Sequence, residues 1–156
     1  MKQSRFLLLV TAVILAIATS CSEKENVVLP CYAGSWQLVS YCGESAEIDL
    51  HIQFKTNGNF IILQRNGSVG FSEYKGRYTA DKESCTISGT YNDGEKWACD
   101  YVYELNLDNE LVLTSTTDSA EVSVYKSAKM PTAGITNVVC NTEVTNTEVA
   151  DVKQPL

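Results

Sequence analysis

Cysteines, a single histidine and a few closely spaced carboxylates are the side chains of this chain that could do covalent, metal or acid–base chemistry. The six cysteines stand at 21, 31, 42, 85, 99 and 140, with no CxxC pair among them. His51 is the only histidine, so neither the spacing nor the ligand types assemble a tetrahedral zinc set, and no metal or cofactor is expected. Hydrolysis by a serine or cysteine nucleophile needs a base within reach. His51 falls on the polar face of an alternating run and reads as simply exposed. Glu47 with Asp49, and Asp81 with Glu83, fall on outward faces or turns, where nothing would raise a carboxyl pKa or exclude water. The chain therefore reads as non-enzymatic, and Cys21 and the aromatic residues carry what functional signal there is.

Cys21 has a distinctive setting. Lys2 and Arg5 precede an apolar run from Phe6 to Ala18; Ala18, Thr19, Ser20 and Cys21 follow, and composition turns polar at once with Ser22, Glu23, Lys24, Glu25 and Asn26. A positive start, a short apolar core and small residues before the cysteine are the pattern of a cleaved leader over residues 1–20. The core is too short for the ~20 residues of a spanning helix. The Ala-Thr-Ser-Cys series resembles the lipobox of bacterial lipoproteins, with Ala18 where leucine is usual. The resemblance implies that Cys21 is acylated and becomes the mature N-terminus. A single acyl chain holds a protein marginally, at ~0.8 kcal/mol per buried methylene, whereas several chains anchor it stably. A secreted protein that merely happens to be cleaved near a cysteine is the plainer alternative. Ser22 followed by acidic residues resembles outer-membrane or surface-exported lipoproteins, which places the domain on the cell envelope, facing periplasm or surface.

Loss of residues 1–20 removes two cations and no acids, taking the formal net charge from -7 to -9. With no Lys/Arg cluster beyond the leader, nucleic acid is excluded as a partner. The 136 residues that remain, in a chain 44% hydrophobic, suit one domain with a modest core. If Cys21 carries lipid, five thiols remain in a potentially oxidising compartment, and at least one cannot pair within a monomer.

Beyond a lipidated N-terminus and linker over 21–33, short runs alternate in polarity between turn signals, as antiparallel strands with one buried face do. Ile48, Leu50, Ile52 and Phe54 alternate with polar residues; so do Trp97, Cys99, Tyr101, Tyr103, Leu105 and Leu107 with theirs. Further strands are expected at Trp36–Cys42, Asn59–Arg65, Val69–Thr79, Ser84–Tyr91, Glu110–Ser115 and Ala120–Lys126. Asn57-Gly58, Asn66-Gly67, Asp93-Gly94 and Asp108-Asn109 supply turns for successive hairpins. The expectation is an all-β antiparallel meander of about eight strands closing into a small barrel over 34–127, since closure removes exposed edges. An open sheet or sandwich is the alternative.

In the hairpin between Cys85 and Cys99, Cys85, Ile87, Gly89 and Tyr91 share one face, so the loop holds an odd number of residues. A three-residue loop of Asn92, Asp93 and Gly94 sets Tyr91 opposite Glu95 and leaves the cysteines diagonal, roughly 7 Å apart and too far to bridge. A five-residue loop, Thr90–Gly94, puts them directly opposite. A Cys85–Cys99 disulfide therefore predicts the longer turn; two buried free thiols are the alternative. Residues 128–156 read as a flexible tail, although apolar, β-branched Ile135–Val139 could add an edge strand that includes Cys140.

Gly34-Ser35-Trp36 opens the first strand. Together with the Asn57-Gly58 turn before Phe60, the strand Lys75-Gly76-Arg77-Tyr78, the aromatic strand through Tyr101 and Tyr103, and Glu110-Leu111-Val112-Leu113-Thr114, it resembles the lipocalin-like domains of bacterial lipoproteins over roughly Gly34–Lys126. The resemblance implies a small barrel closed at one end, with Trp36 near that end. The chain departs from true lipocalins in lacking a helix after the last strand and in carrying Lys126 where an arginine would cover the tryptophan. Cys99-Asp100-Tyr101 also echoes that family's Thr-Asp-Tyr motif only in part.

The candidate ligand lining is Phe54, Phe60, Tyr78, Trp97, Tyr101 and Tyr103, with plain core packing as the other reading of each. The expected function is noncovalent binding of a small apolar or amphipathic ligand by a protein held to the membrane through its lipid anchor. The alternative is a structural or interaction module with a filled barrel, contacting another envelope protein or a glycan through its outer face or tail; a barrel of this size permits either. Asp118-Ser119-Ala120 resembles a bacterial O-glycosylation sequon, and Asn66-Gly67-Ser68 has the Asn-linked pattern.

Overall fold

The computed structural model describes residues 29–65, 67 and 70–136. Ten strands follow in chain order: β1 (Gly34–Tyr41), β2 (Glu44–Ser45), β3 (Leu50–Phe54), β4 (Asn59–Arg65), β5 (Phe71–Asp81), β6 (Thr86–Tyr91), β7 (Tyr101–Leu105), β8 (Leu111–Ser115), β9 (Val122–Ser127) and β10 (Ile135–Thr136). Eight of them close on themselves. β1 pairs with β3, β3 with β4, β4 with β5, β5 with β6, and so on to β9, which returns antiparallel to β1. The two-residue β2 folds back on the end of β1. The closed antiparallel barrel expected from the alternation is thus the fold, not an open sheet.

Period-two patterning decides which residues fill it. On β3, Leu50, Ile52 and Phe54 are 2, 0 and 1% exposed and face inward. In register across the next hairpin, Phe60 opposes Phe54 and Ile62 opposes Ile52. Leu111 and Leu113 on β8 and Tyr125 on β9, all fully buried, line the opposite wall. At one end of the barrel lie Gly34, Phe54, Asn59, Asp81, Leu105 and Ser127; at the other lie Tyr41, Leu50, Arg65, Phe71, Tyr91 and Ser115. The first end is closed. Tyr32, placed by the sequence in the linker, turns its ring into that end against Tyr103, Tyr78 and Phe54, with centroids 4.8, 5.8 and 6.2 Å away. Its carbonyl accepts the Trp36 Nε1–H bond at 2.8 Å. Lys126 points outward to Glu110, so Tyr32 and not a basic side chain covers Trp36.

The strand expected over Trp97–Leu107 is two pieces. Thr90 bridges Lys96, and Trp97 N–H donates to the Gly89 carbonyl at 3.0 Å, yet Tyr101 pairs with Ile87. Two residues of β6 are therefore matched by four on its partner, and Ala98–Asp100 bulge out. Gly89 makes room for the ring opposite it: a Cβ there would lie 2.1 Å from Cε2 of Trp97. The indole occupies the place of a side chain on β6.

After β9 the chain does not simply become a free tail at residue 128. Ala128 N–H donates to the Ser35 carbonyl, Phe71 N–H donates to the Gly134 carbonyl at 2.7 Å, and β10 lies parallel to the start of β5. β10 takes the edge of β5 that β6 leaves unpaired, since β6 reaches only Gly76. Cys140, the rest of the proposed tail, Cys21 and the leader lie outside the described residues.

Candidate functional site

The tight turn Asn92–Gly94 fixes the geometry of the site. Tyr91 N–H donates to the Glu95 carbonyl at 2.7 Å, so the loop has three residues and Tyr91 stands opposite Glu95. That excludes the direct Cys85–Cys99 pairing, and the expected disulfide is absent. Cys85, at φ 52 in the turn after β5, is exposed with its thiol directed to the Lys82 carbonyl; the Cys99 thiol lies 3.1 Å from Ser115 Oγ. Cys31, Cys42, Cys85 and Cys99 are all unpaired.

The six candidate lining residues do come together, but as packing partners. Phe60 lies 5.1 Å from Trp97, Phe54 lies 5.2 Å from Tyr78 and 6.4 Å from Trp97, and Trp97 lies 6.2 Å from Tyr101, all ring to ring. Tyr103 joins them through Tyr32. None of the six is more than 8% exposed. Two of the hydroxyls find backbone acceptors: Tyr78 donates to the Lys55 carbonyl at 2.7 Å and Tyr103 to the Asp81 carbonyl at 3.5 Å. The lower half of the barrel is therefore filled by edge-to-face aromatic packing. Trp97 Nε1–H alone in this cluster is buried without a hydrogen-bond partner, as is His51 Nδ1 on the outer face.

Above this floor the inner face changes chemistry. Gln64 and Ser72 face the interior opposite one another in register and are 7 and 6% exposed. Tyr74 and Tyr91, 6.4 Å apart, lie beside them, and Tyr91 packs on Phe60 at 5.5 Å. Ser115 and Ser123 also point inward and tie the wall to its neighbours. Ser115 Oγ accepts the Thr117 and Asp118 N–H groups of the following turn, and Ser123 hydrogen-bonds Tyr125. The inward amide and hydroxyl of Gln64 and Ser72 were not singled out from the sequence. Their parity shows them: Gln64 follows Phe60 and Ile62, and Ser72 precedes Tyr74, Gly76 and Tyr78. Around this second end, open only in that Tyr32 does not plug it, the loops carry Glu44, Glu47, Asp93, Glu95, Asp118 and Glu121 against Arg65 and Lys96.

The acid–base candidates resolve into structural roles. His51 is on the outward face as expected, but it is buried, not exposed, packed edge-on to Phe71 and bonded through Nε2 to Asp49 Oδ1 at 3.0 Å. Burial works against ionisation of Asp49, but Arg65 at 2.9 Å and His51 outweigh it and hold the carboxyl below its usual range. Asp81 is lowered chiefly by the Glu83 N–H and then by Ser84, as a turn cap. Among the described residues no group of three His, Cys, Asp or Glu side chains could hold a metal ion, and no helix is long and apolar enough to cross a membrane.

Burial pushes the phenols up: Tyr78 to about 12, and Tyr101 and Tyr125 further still. The unfolded chain ionises these three tyrosines near 10 and the folded one does not, so above that pH the unfolded state binds fewer protons and stability falls. Melting temperature followed alongside tyrosinate absorbance should be flat between about pH 6 and 9, then drop between about 10 and 12, with ionisation of the buried phenols appearing only on unfolding.

No family model matches the chain, and no curated protein does. Among solved structures it is similar to the crystal structure of a lipocalin-like protein from Bacteroides uniformis, at 22% sequence identity and a TM-score of 0.50, covering 64% of this chain and all of that one. At that identity the likeness concerns the fold alone.

Proposed function

From the premise that the fold is a lipocalin-like β-barrel, we propose that this is a non-enzymatic, lipid-anchored envelope protein that binds a small, partly apolar molecule through the open end of its barrel. One observation carries the reading: Gln64 and Ser72 stand paired on the inner wall, nearly enclosed, above a floor of aromatic rings. An inward amide and hydroxyl beside aromatic rings are the mixture that binding sites use, apolar walls with a few polar groups that orient the ligand. Trp97 and Tyr101 then form the floor and Tyr74 and Tyr91 the wall, whereas Phe54, Phe60, Tyr78 and Tyr103 hold the shape beneath. A molecule with an apolar body and one or two hydrogen-bonding groups suits this lining. Gln64→Leu should leave the melting temperature within a few degrees of wild type and weaken retention of the bound molecule by about tenfold, the effect of one lost hydrogen bond to a buried group. Undiminished retention would remove Gln64 from the site.

The close ring packing favours a second reading, a filled barrel acting as an interaction module for another envelope protein or a glycan. It expects no bound molecule at all.

The anchor has its own test. Intact mass of the denatured, membrane-extracted protein should begin at Cys21 with acyl chains added, and Cys21→Ser should lack that increment. A wild-type mass beginning at another residue, without acyl chains, would contradict the anchor.

A further inference from the structure

We infer that the closed end of the barrel rests on the lipid bilayer, with Leu107, Leu105 and Leu29 entering its interface and the open end facing away. The inference rests on acylation at Cys21 proposed above. Leu107 sits at the tip of the β7–β8 turn and is 102% exposed, Leu105 at the base of the same hairpin is 38% exposed, and Leu29 is 58% exposed. A lone surface leucine needs no explanation; these three share one end. Asn106 fixes the turn, its side-chain oxygen accepting the Asp108 and Glu110 N–H groups, so Leu107 is held outward by a rigid loop.

Where the chain enters determines which end the anchor reaches. The described chain begins at Leu29 and passes Tyr32 into the closed end. Eight residue steps separate Cys21 from Leu29 and span at most about 28 Å, so a lipid on Cys21 keeps the closed end beside the membrane. Charge agrees. The open end carries Glu44, Glu47, Asp93, Glu95, Asp118 and Glu121 against Arg65 and Lys96, a net negative rim that an anionic membrane surface repels. At the closed end Lys55, Lys82, Lys126 and Lys129 offset Asp81, Glu83, Asp108 and Glu110, so that end approaches lipid without a charge penalty. Leucine side chains at an interface add apolar burial to the anchor and fix orientation.

The test uses full-length, membrane-extracted protein returned to phosphatidylethanolamine–phosphatidylglycerol vesicles whose acyl chains carry bromine, a contact quencher of tryptophan. Leu107→Trp and, separately, Leu29→Trp are compared with Glu47→Trp at the open end; the buried Trp36 and Trp97 give a common background. The emission added at 107 and 29 should shift to the blue and lose most of its intensity, and that added at 47 should keep its intensity. Equal quenching at both ends, or none at 107 and 29 in protein that floats with the vesicles, would overturn the orientation while leaving the anchor intact. Wild-type protein that fails to float would sink the anchor, and this inference with it.

Discussion

Gly89→Ala should destabilise the barrel by about 3 kcal/mol, the upper end of what overpacking a core costs, because the added methyl would lie 2.1 Å from the Trp97 indole. The neighbour that would have to yield is no flexible side-chain end. It is a ring clamped between Phe60 and Tyr101 on a chain tied to Gly89 by a main-chain hydrogen bond. The distinctive expectation is non-additivity. Trp97→Ala alone should cost ~3–5 kcal/mol, but Gly89→Ala in that background should cost little, since the methyl then enters vacated space. Urea unfolding of the two single variants and the double variant completes the cycle. Additive losses would mean that Trp97 does not occupy the place of the missing Gly89 side chain.

Phe54→Ala should cost ~3–5 kcal/mol, a large part of the 5–15 kcal/mol that stabilises a domain of this kind. Phe54 is 1% exposed and its ring meets Tyr32, Tyr78 and Trp97, so truncation opens a cavity at the junction of three rings. Denaturant unfolding would measure the loss, and wild-type stability would show that this half of the barrel is not packed as described. The contrast with Gln64→Leu separates the two halves: removing a floor ring should threaten the fold, whereas changing the wall above it should affect binding.

Much of this was legible in the chain because strand alternation is a local signal. Leu50, Ile52 and Phe54 declared their inner face, and the shared face of Ile87, Gly89 and Tyr91 limited the next loop to three or five residues, of which the structure takes three. What was not legible depended on neighbours distant in sequence. Trp97 lies over a glycine on the facing strand, and the bulge at Ala98–Asp100 that follows it parts Cys99 further from Cys85, because Tyr101 pairs with Ile87. His51 is polar and outward, yet becomes buried beside Phe71, where β10 docks from the far end of the sequence. Tyr32 looked like linker because no alternation surrounds it, although its ring closes the barrel. Gln64 and Ser72 were readable by parity, but a search for aromatic lining passes over polar residues at inward positions.

The central claim, that the barrel holds a small molecule, is met most directly by native mass spectrometry of the protein gently extracted from its own host's envelope, comparing native with denatured mass. A stoichiometric extra mass, lost on denaturation and diminished in Gln64→Leu, is the predicted result. Identical native and denatured masses in freshly extracted protein would contradict it and leave a filled barrel that works through its surface.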